Sequence, residues 1–457
     1  MARGKKIVVA ALALGAAALV MRPPAGLDPV QARILAVVMM TLGLWATALI
    51  PPFVTALAFF AALLVPGLAA PELVFSGFSS AAIWLIVSGF VIGAAIQATG
   101  LGQRLAGWVA PHLSRSYPML IGGLMAMGMV LGFLMPSSLG RAMILVPIAM
   151  ALADRLGLEP GSRGRSGVAV TVALAANVPG YAILPANLAN MVLSGAADGI
   201  LGIHFGYAEY LALHFPVLGV LRCALLVVLI LRIFPAETPA LPPEPAPPAR
   251  LSGAELRLSV LLCATLALWM TDSLHGVNAG WVGLAAAVLM LLPGLGFVDA
   301  KAFRDSADLP MLLMVAAVLG LGAVVSQAGL GGLLADLVAD VLPMAPGRDF
   351  VNFLSLSLLA MLTGMVATIS GVPAVLTPLA GQLAEQTGLP VETVLMTQVL
   401  GFSTMLLPYQ APPLLIALGL AKEPPRSIVR VLLLLAAATF LILAPLDFLW
   451  WRLLGRV

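Results

Sequence analysis

The sequence predicts an all-α polytopic membrane protein of two inverted repeats, with about eleven transmembrane helices, two re-entrant hairpins and two interrupted helices. Three observations predict it. Of 457 residues, 61% are hydrophobic and only 9% charged, whereas soluble domains carry about 25% charged residues. Long apolar stretches are split by short polar breaks, leaving flanks below the roughly 20 residues that a spanning helix needs. The order of features in the first half also returns in the second.

Residues 5–21 form the first span, with Arg3, Lys5 and Lys6 before or within it. They resemble a signal peptide, but the rest of the chain is membranous as well, so 1–26 reads as an uncleaved leading span. Residues 27–234 form repeat one. Its spans 30–50 and 52–68 are parted by Pro51-Pro52, because proline interrupts a helix. Span 79–98 ends at Gly100-Leu101-Gly102, and 103–117 reads as a loop with Arg104 and Arg115.

The first hairpin, 118–156, turns at Met135-Pro136-Ser137-Ser138-Leu139-Gly140-Arg141. Non-helical backbone at membrane depth persists only where it lines a cavity or is buried in protein. Span 168–198 is interrupted between Asn177 and Asn190, where Pro179-Gly180 and Pro185 stand, and span 210–233 closes the repeat.

Seven prolines and the acids Glu237 and Glu244 make 235–251 a semi-rigid, extended cytoplasmic linker. Repeat two, 252–457, holds spans 254–271, 278–293 and 308–328, hairpin 350–386, a helix 392–420 interrupted around Pro408 to Pro413, and span 429–450. Gly329-Leu330-Gly331 follows the earlier Gly-Leu-Gly by 229 residues; Pro378 follows Pro147, Gly388 follows Gly157 and Glu385 follows Asp154 by 231. Paired breaks in corresponding halves point to a transporter with its binding site between them.

Charge gives an orientation. With the amino terminus in the cytoplasm and each hairpin returning to its own side, inner segments hold sixteen Lys and Arg residues and outer ones five. This satisfies the positive-inside rule. It puts the carboxyl terminus outside and the second hairpin on an acidic rim with Asp336, Asp340, Asp349, Glu385 and Glu392.

No enzyme chemistry is legible: there is no zinc spacing, no phosphate loop and no carboxylate pair at membrane depth. The net charge of +3 implies no nucleic-acid partner. Cys223 and Cys263 sit in apolar runs and read as small core residues rather than a disulfide or metal pair. Cation pumps and proton relays usually keep Asp, Glu or His inside the membrane. The breaks here offer hydroxyls, amides and one guanidinium, a set that suits an anion held by helix amino termini.

The candidate groups each have a bland alternative. Ser137 and Ser138 cap a helix or face a ligand. Arg141 is expensive at depth, about 2.5–3.5 kcal/mol on insertion scales, and reads as a ligand or charge-balancing group. Arg222, about three turns from the end of its span, reads as snorkelling. Asn177, Asn187 and Asn190 satisfy their own break or contact a ligand. Thr368, Ser370, Ser403, Thr404 and Gln410 form the second-half set, for which bonding back to the helix competes. Trp450 and Trp451 read as an interfacial belt.

This layout resembles the divalent anion/sodium symporters, the INDY-like dicarboxylate, citrate and sulfate carriers. In that family a Ser-Asn-Thr motif stands at each hairpin tip, and Ser137-Ser138-Leu139 and Thr368-Ile369-Ser370 fall in those places. Its Thr-Pro-Pro-Asn-like breaks correspond to Asn187-Leu188-Ala189-Asn190 and Ala411-Pro412-Pro413-Leu414. The resemblance implies substrate contacts from Ser137, Ser138, Arg141, Asn187, Asn190, Thr368, Ser370, Pro412 and Pro413. It implies ion contacts from Ser137, Asn177, Gly180, Thr368, Ser403, Thr404 and Gln410. It further implies a homodimer in a bacterial-type inner membrane, an elevator mechanism and no cofactor, with sodium as the candidate coupling ion. Arg141 departs from the family pattern. Its fixed charge would replace a bound cation or pair with the anion, favouring sodium-independent transport or exchange. The other readings are an arsenite or cation carrier of the same superfamily and a scaffold without flux.

Overall fold

The computed structural model describes residues 2–24, 26–47, 49–113, 116–237, 250–294, 296–330 and 343–457. Most of the proline-rich linker, Arg115, Gly331, Asp336 and Asp340 lie outside them, as do the side chains of Arg3, Lys5, Lys6 and His112. Among the described residues, seven helices are long and apolar enough to cross a membrane, and six shorter apolar helices accompany them.

The leading helices are α1 (Ala2–Met21), α2 (Pro29–Thr47) and α3 (Pro52–Leu64), with proline opening α3 as expected. Helix α4 (Ala81–Thr99) ends at Gly100, whose left-handed conformation (φ 74°) needs no Cβ to be accommodated. The segment read as a loop from 103 is instead mostly helical, as α5 (Leu101–Leu113). Leu101, Leu105 and Leu113 recur at helical spacing, and Leu101 and Leu113 are buried. Gly329, the repeat partner of Gly100, is also left-handed (φ 68°).

The first hairpin stretch is α6 (Tyr117–Leu134), a three-residue break and α7 (Ser138–Arg155). The first interrupted helix is α8 (Arg163–Asn177) and α9 (Leu188–Leu201), separated by two short 3-10 turns. Then come α10 (Tyr207–Ile233), α11 (Gly253–Met270), α12 (Ala279–Leu291) and α13 (Leu309–Gln327). Cys223 is buried on α10, but Cys263 is exposed on α11, a helix with only 28% of its length covered, so it is not a core residue.

The second half continues with α14 (Asp349–Leu376), kinked at Thr368, and α15 (Ala380–Thr387). The second interrupted helix is α16 (Val391–Phe402) and α17 (Pro412–Leu420), and α18 (Arg426–Leu453) ends the chain. Its first half stops earlier than the prolines suggest, because Ser403 and Thr404 turn their hydroxyls back onto Leu400.

Helix α8 is the hub. It packs on α6, α7 and α17, and none of its residues from Gly167 to Asn177 reaches solvent. Helix α14 packs on α16, and α4 on α12. The first halves of the two interrupted helices, α8 and α16, therefore lie inside the protein, while α17 keeps Pro412, Ile416 and Leu420 exposed.

Candidate functional site

Arg141 is the fourth residue of α7 and is fully buried. A cation there opposes the positive end of its own helix, so its stabilisation comes from elsewhere. Its Nε donates to the Ala176 carbonyl at 2.9 Å, on the last turn of α8, where the dipole is negative. Nη1 donates to the Met135 carbonyl in the hairpin break. Nη2 donates to the Ala186 carbonyl and the Ser138 hydroxyl, both at 3.0 Å. Three backbone carbonyls from three separate segments thus enclose one guanidinium. Gly180 allows the approach: a Cβ there would lie 2.6 Å from Nη2.

The amides of the first break hold its backbone. Asn190 Nδ2 donates to the carbonyls of Gly180 (3.0 Å), Tyr181 (3.2 Å) and Ile183 (3.0 Å). Asn187 caps α9 by accepting from Ala189 N–H at 2.9 Å. Asn177 donates back to Ala173 on its own helix at 2.9 Å. All three are buried, so the amide cluster forms the wall of the break. Ser137 caps α7 by accepting from Gly140 N–H at 3.1 Å, and both Ser137 and Ser138 are half-buried.

The second break holds a second arginine. Arg222 of α10 does not snorkel. It is fully buried, donating to Ser403 Oγ (2.6 Å), Thr404 Oγ1 (2.8 Å) and Thr439 Oγ1 (3.4 Å). Ser403 and Thr404 follow the last turn of α16, so each interrupted helix ends its first half against a guanidinium. Gln410 accepts from the N–H groups of Leu406 and Leu407, both at 2.8 Å, and closes the break on itself. The two breaks meet where the Tyr181 hydroxyl reaches Met405 Sδ at 3.8 Å.

Thr368 marks the tip of the second hairpin stretch. Its φ of 59° and ψ of 169° fall in a region that side chains other than glycine rarely enter. Thr368, Ser370 and Pro413 are half-buried and Pro412 is exposed. The Tyr409 hydroxyl donates to the Met365 carbonyl at 2.7 Å, tying this tip to the second break. At the first tip the Ser137 and Ser138 hydroxyls thus accept from Gly140 N–H and Arg141 Nη2, while the amides of the first break bond to its own backbone.

Two side chains of α18 were misjudged from the sequence. Asp447 is a fully buried carboxyl inside a spanning helix, against the reading that such groups are absent. It stands three residues before Trp450 and was masked by the apparent interfacial belt. Trp451 is itself buried, with its ring 5.6 Å from His214 and 5.1 Å from Phe353. Among the described residues, no group of three or more His, Cys, Asp or Glu residues could hold a metal ion.

Residues 5–457 match the sodium:sulfate symporter transmembrane region. The chain belongs to this family. It is a transporter, not an enzyme. A membrane protein of Cupriavidus necator is 25% identical over 394 residues, covering 84% of this chain and 77% of that one. The chloroplastic dicarboxylate transporter 2.2 of Arabidopsis thaliana is 25% identical over 403 residues, covering 83% and 72%. The crystal structure of the Alcanivorax borkumensis YdaH transporter, described as having an unusual topology, shares the fold at a TM-score of 0.55 and 17% identity, over 84% of this chain and 88% of that one. The two buried arginines, from α7 and α10, lie against the ends of the first halves of both interrupted helices.

Proposed function

We propose that the protein is a secondary active transporter of a small divalent anion, a C4-dicarboxylate or sulfate, that works without sodium. The observation that carries this is the Arg141 guanidinium inside its cage of three carbonyls. Carbonyls gathered around a helix carboxyl end are what a bound sodium ion would need. Here that space and those lone pairs are taken by a charge that cannot leave. Of the candidate ion-binding groups, Gly180 abuts Arg141, Ser403 and Thr404 accept from Arg222, Asn177 bonds to its own helix and Gln410 closes its own turn.

In this reading the anion lies against the starts of α7 and α17, between the hydroxyls of Ser137, Ser138, Thr368 and Ser370. Helix amino termini favour negative charge there. Arg141 and Arg222 supply fixed positive charge behind them, and Asn187 and Asn190 set the wall. The two hairpins would carry the anion across together, elevator fashion, within a homodimer in an inner membrane, with the amino terminus cytoplasmic. The dicarboxylate transporter among its relatives supports this substrate class.

The test is uptake of labelled succinate and sulfate into proteoliposomes, with sodium or choline outside and with or without a counter-anion inside. Equal uptake in sodium and choline, accelerated by the internal anion, is expected. Uptake that requires sodium would overturn the assignment of Arg141 as a built-in cation.

A further inference from the structure

Two helical defects meet beside the second break. Residues 215–221 of α10 and 439–443 of α18 each form a π turn, and the two segments touch. Such turns occur mostly at functional sites. Arg222 directly follows the first, and Thr439 opens the second and accepts from it. All three side-chain partners of Arg222 are neutral hydroxyls, and its Nε has no partner.

Asp447 stands on residues 444–453 of α18, which pack against the π turn of α10 that Arg222 directly follows, and it is fully buried. Neither of its carboxyl oxygens has a hydrogen-bond partner, nor has the Trp451 indole N–H, one turn along. The titratable groups around it come from several elements. Helix α10 brings Tyr210, His214, Arg222 and Cys223, and the first break brings Tyr181. Helix α14 brings the rings of Phe350 and Phe353 against Phe448 and Trp451 of α18. His214 Nδ1 also lacks a partner, while Nε2 lies 3.2 Å from Met396 Sδ. A cleft of about 120 Å³ opens beside this layer, lined by Tyr210, Met396 and Trp451, with Glu209, Glu392 and Arg456 at its lip. Glu209 and Arg456 pair with each other.

We infer that Asp447 is a reversible proton-binding site that sets the net charge around Arg222 and so couples anion binding at the second break to pH. The inference rests on the transport reading above and names its coupling ion. An ionised Asp447 cancels the Arg222 charge at this site. A proton on the carboxyl leaves that charge uncompensated and open to an anion. An anion so attracted in turn favours the protonated acid, because linkage is reciprocal. Proton and anion therefore bind together, and affinity rises as pH falls.

The test is sulfate flux in proteoliposomes of the full-length protein across about pH 5–8, a range over which sulfate keeps both charges. A pH-sensitive dye follows protons in the same vesicles. Wild type should move protons with sulfate, and its apparent affinity should fall by up to about tenfold per pH unit as pH rises. Asp447→Asn should keep the affinity of the low-pH state at every pH and move no protons. Asp447→Glu, which retains a carboxyl, should keep a pH dependence with a displaced midpoint. Sulfate flux without proton movement in wild type, or a wild-type pH profile in Asp447→Asn, would overturn the inference and leave anion transport standing. Absence of both sulfate and succinate flux in wild type would overturn the transport reading and the coupling with it.

Discussion

Arg141 Nε and the Ala176 carbonyl lie 2.9 Å apart, joining the start of one broken structure to the end of another. The bond places a permanent positive charge on the negative end of α8, in the middle of the protein. Replacing Arg141 with Ala removes the donor from three buried carbonyls at once. Leaving a buried acceptor unsatisfied costs about 1–3 kcal/mol, and a loss of at least that order is expected in thermal or denaturant unfolding in detergent. Anion flux should fall to background. Arg141→Lys keeps the charge but cannot reach all three carbonyls, so it should retain part of both stability and flux. If Arg141→Ala matched wild type in stability, the carbonyl cage would not be holding the break together.

Gly180 gives a second handle on the same contact without touching the charge. A Cβ at this position would sit 2.6 Å from Arg141 Nη2 and 3.1 Å from the Ala186 carbonyl. Both neighbours are held, the first by its hydrogen bonds and the second by the backbone. Gly180→Ala should therefore act as overpacking, costing about 1–3 kcal/mol, and should reduce flux by displacing the guanidinium. Wild-type melting and flux in this variant would mean that the break can shift to admit a methyl group.

The break at 135–137 and both interruptions were legible because proline and polar residues between two short apolar runs stop a helix. The sequence also marked Arg141, since a charge at that place must find a partner. It could not name the partners: Met135 is close in sequence, but Ala176 and Ala186 are 35 and 45 residues away. Arg222 was harder still. Its hydroxyl partners Ser403 and Thr404 stand 181 and 182 residues further on, so a one-dimensional reading defaults to snorkelling. Asn190 and Gln410 stood out in the sequence because amides in apolar runs need partners. Those partners proved to be the carbonyls and N–H groups that each break itself exposes.

Thr368 stores strain at the other tip. Its φ of 59° with ψ of 169° is essentially a glycine conformation, and a side chain held there costs about 1–3 kcal/mol. Thr368→Gly should raise the melting temperature, because the strain disappears. The same change removes a hydroxyl from the proposed anion site, so anion affinity should weaken while stability improves. That opposite movement is the signature to measure, by melting and by the KM for sulfate on one preparation. A variant that melts lower than wild type would mean that the tip tolerates Thr368 without strain.

The contact of Arg222 with Ser403 and Thr404 can be isolated by a double-mutant cycle. Ser403→Ala and Thr404→Val each remove one hydroxyl partner and leave the guanidinium with fewer bonds. Arg222→Met removes the charge and keeps an unbranched side chain of similar reach. Direct hydrogen-bonded partners couple by about 0.5–3 kcal/mol in such cycles, so the double variants should be less destabilised than the sum of the singles. Ser403 carries the shorter contact, 2.6 Å against 2.8 Å for Thr404, but its hydroxyl also leans on Leu400 at 3.2 Å. Thr404 bonds Leu400 more closely, at 2.6 Å, and its loss removes a helix-terminal contact together with the arginine's. Ser403→Ala should therefore report mainly on Arg222, whereas Thr404→Val should destabilise even with Met at position 222. Strict additivity at Ser403 would show that Arg222 draws its support from elsewhere in the π-turn layer.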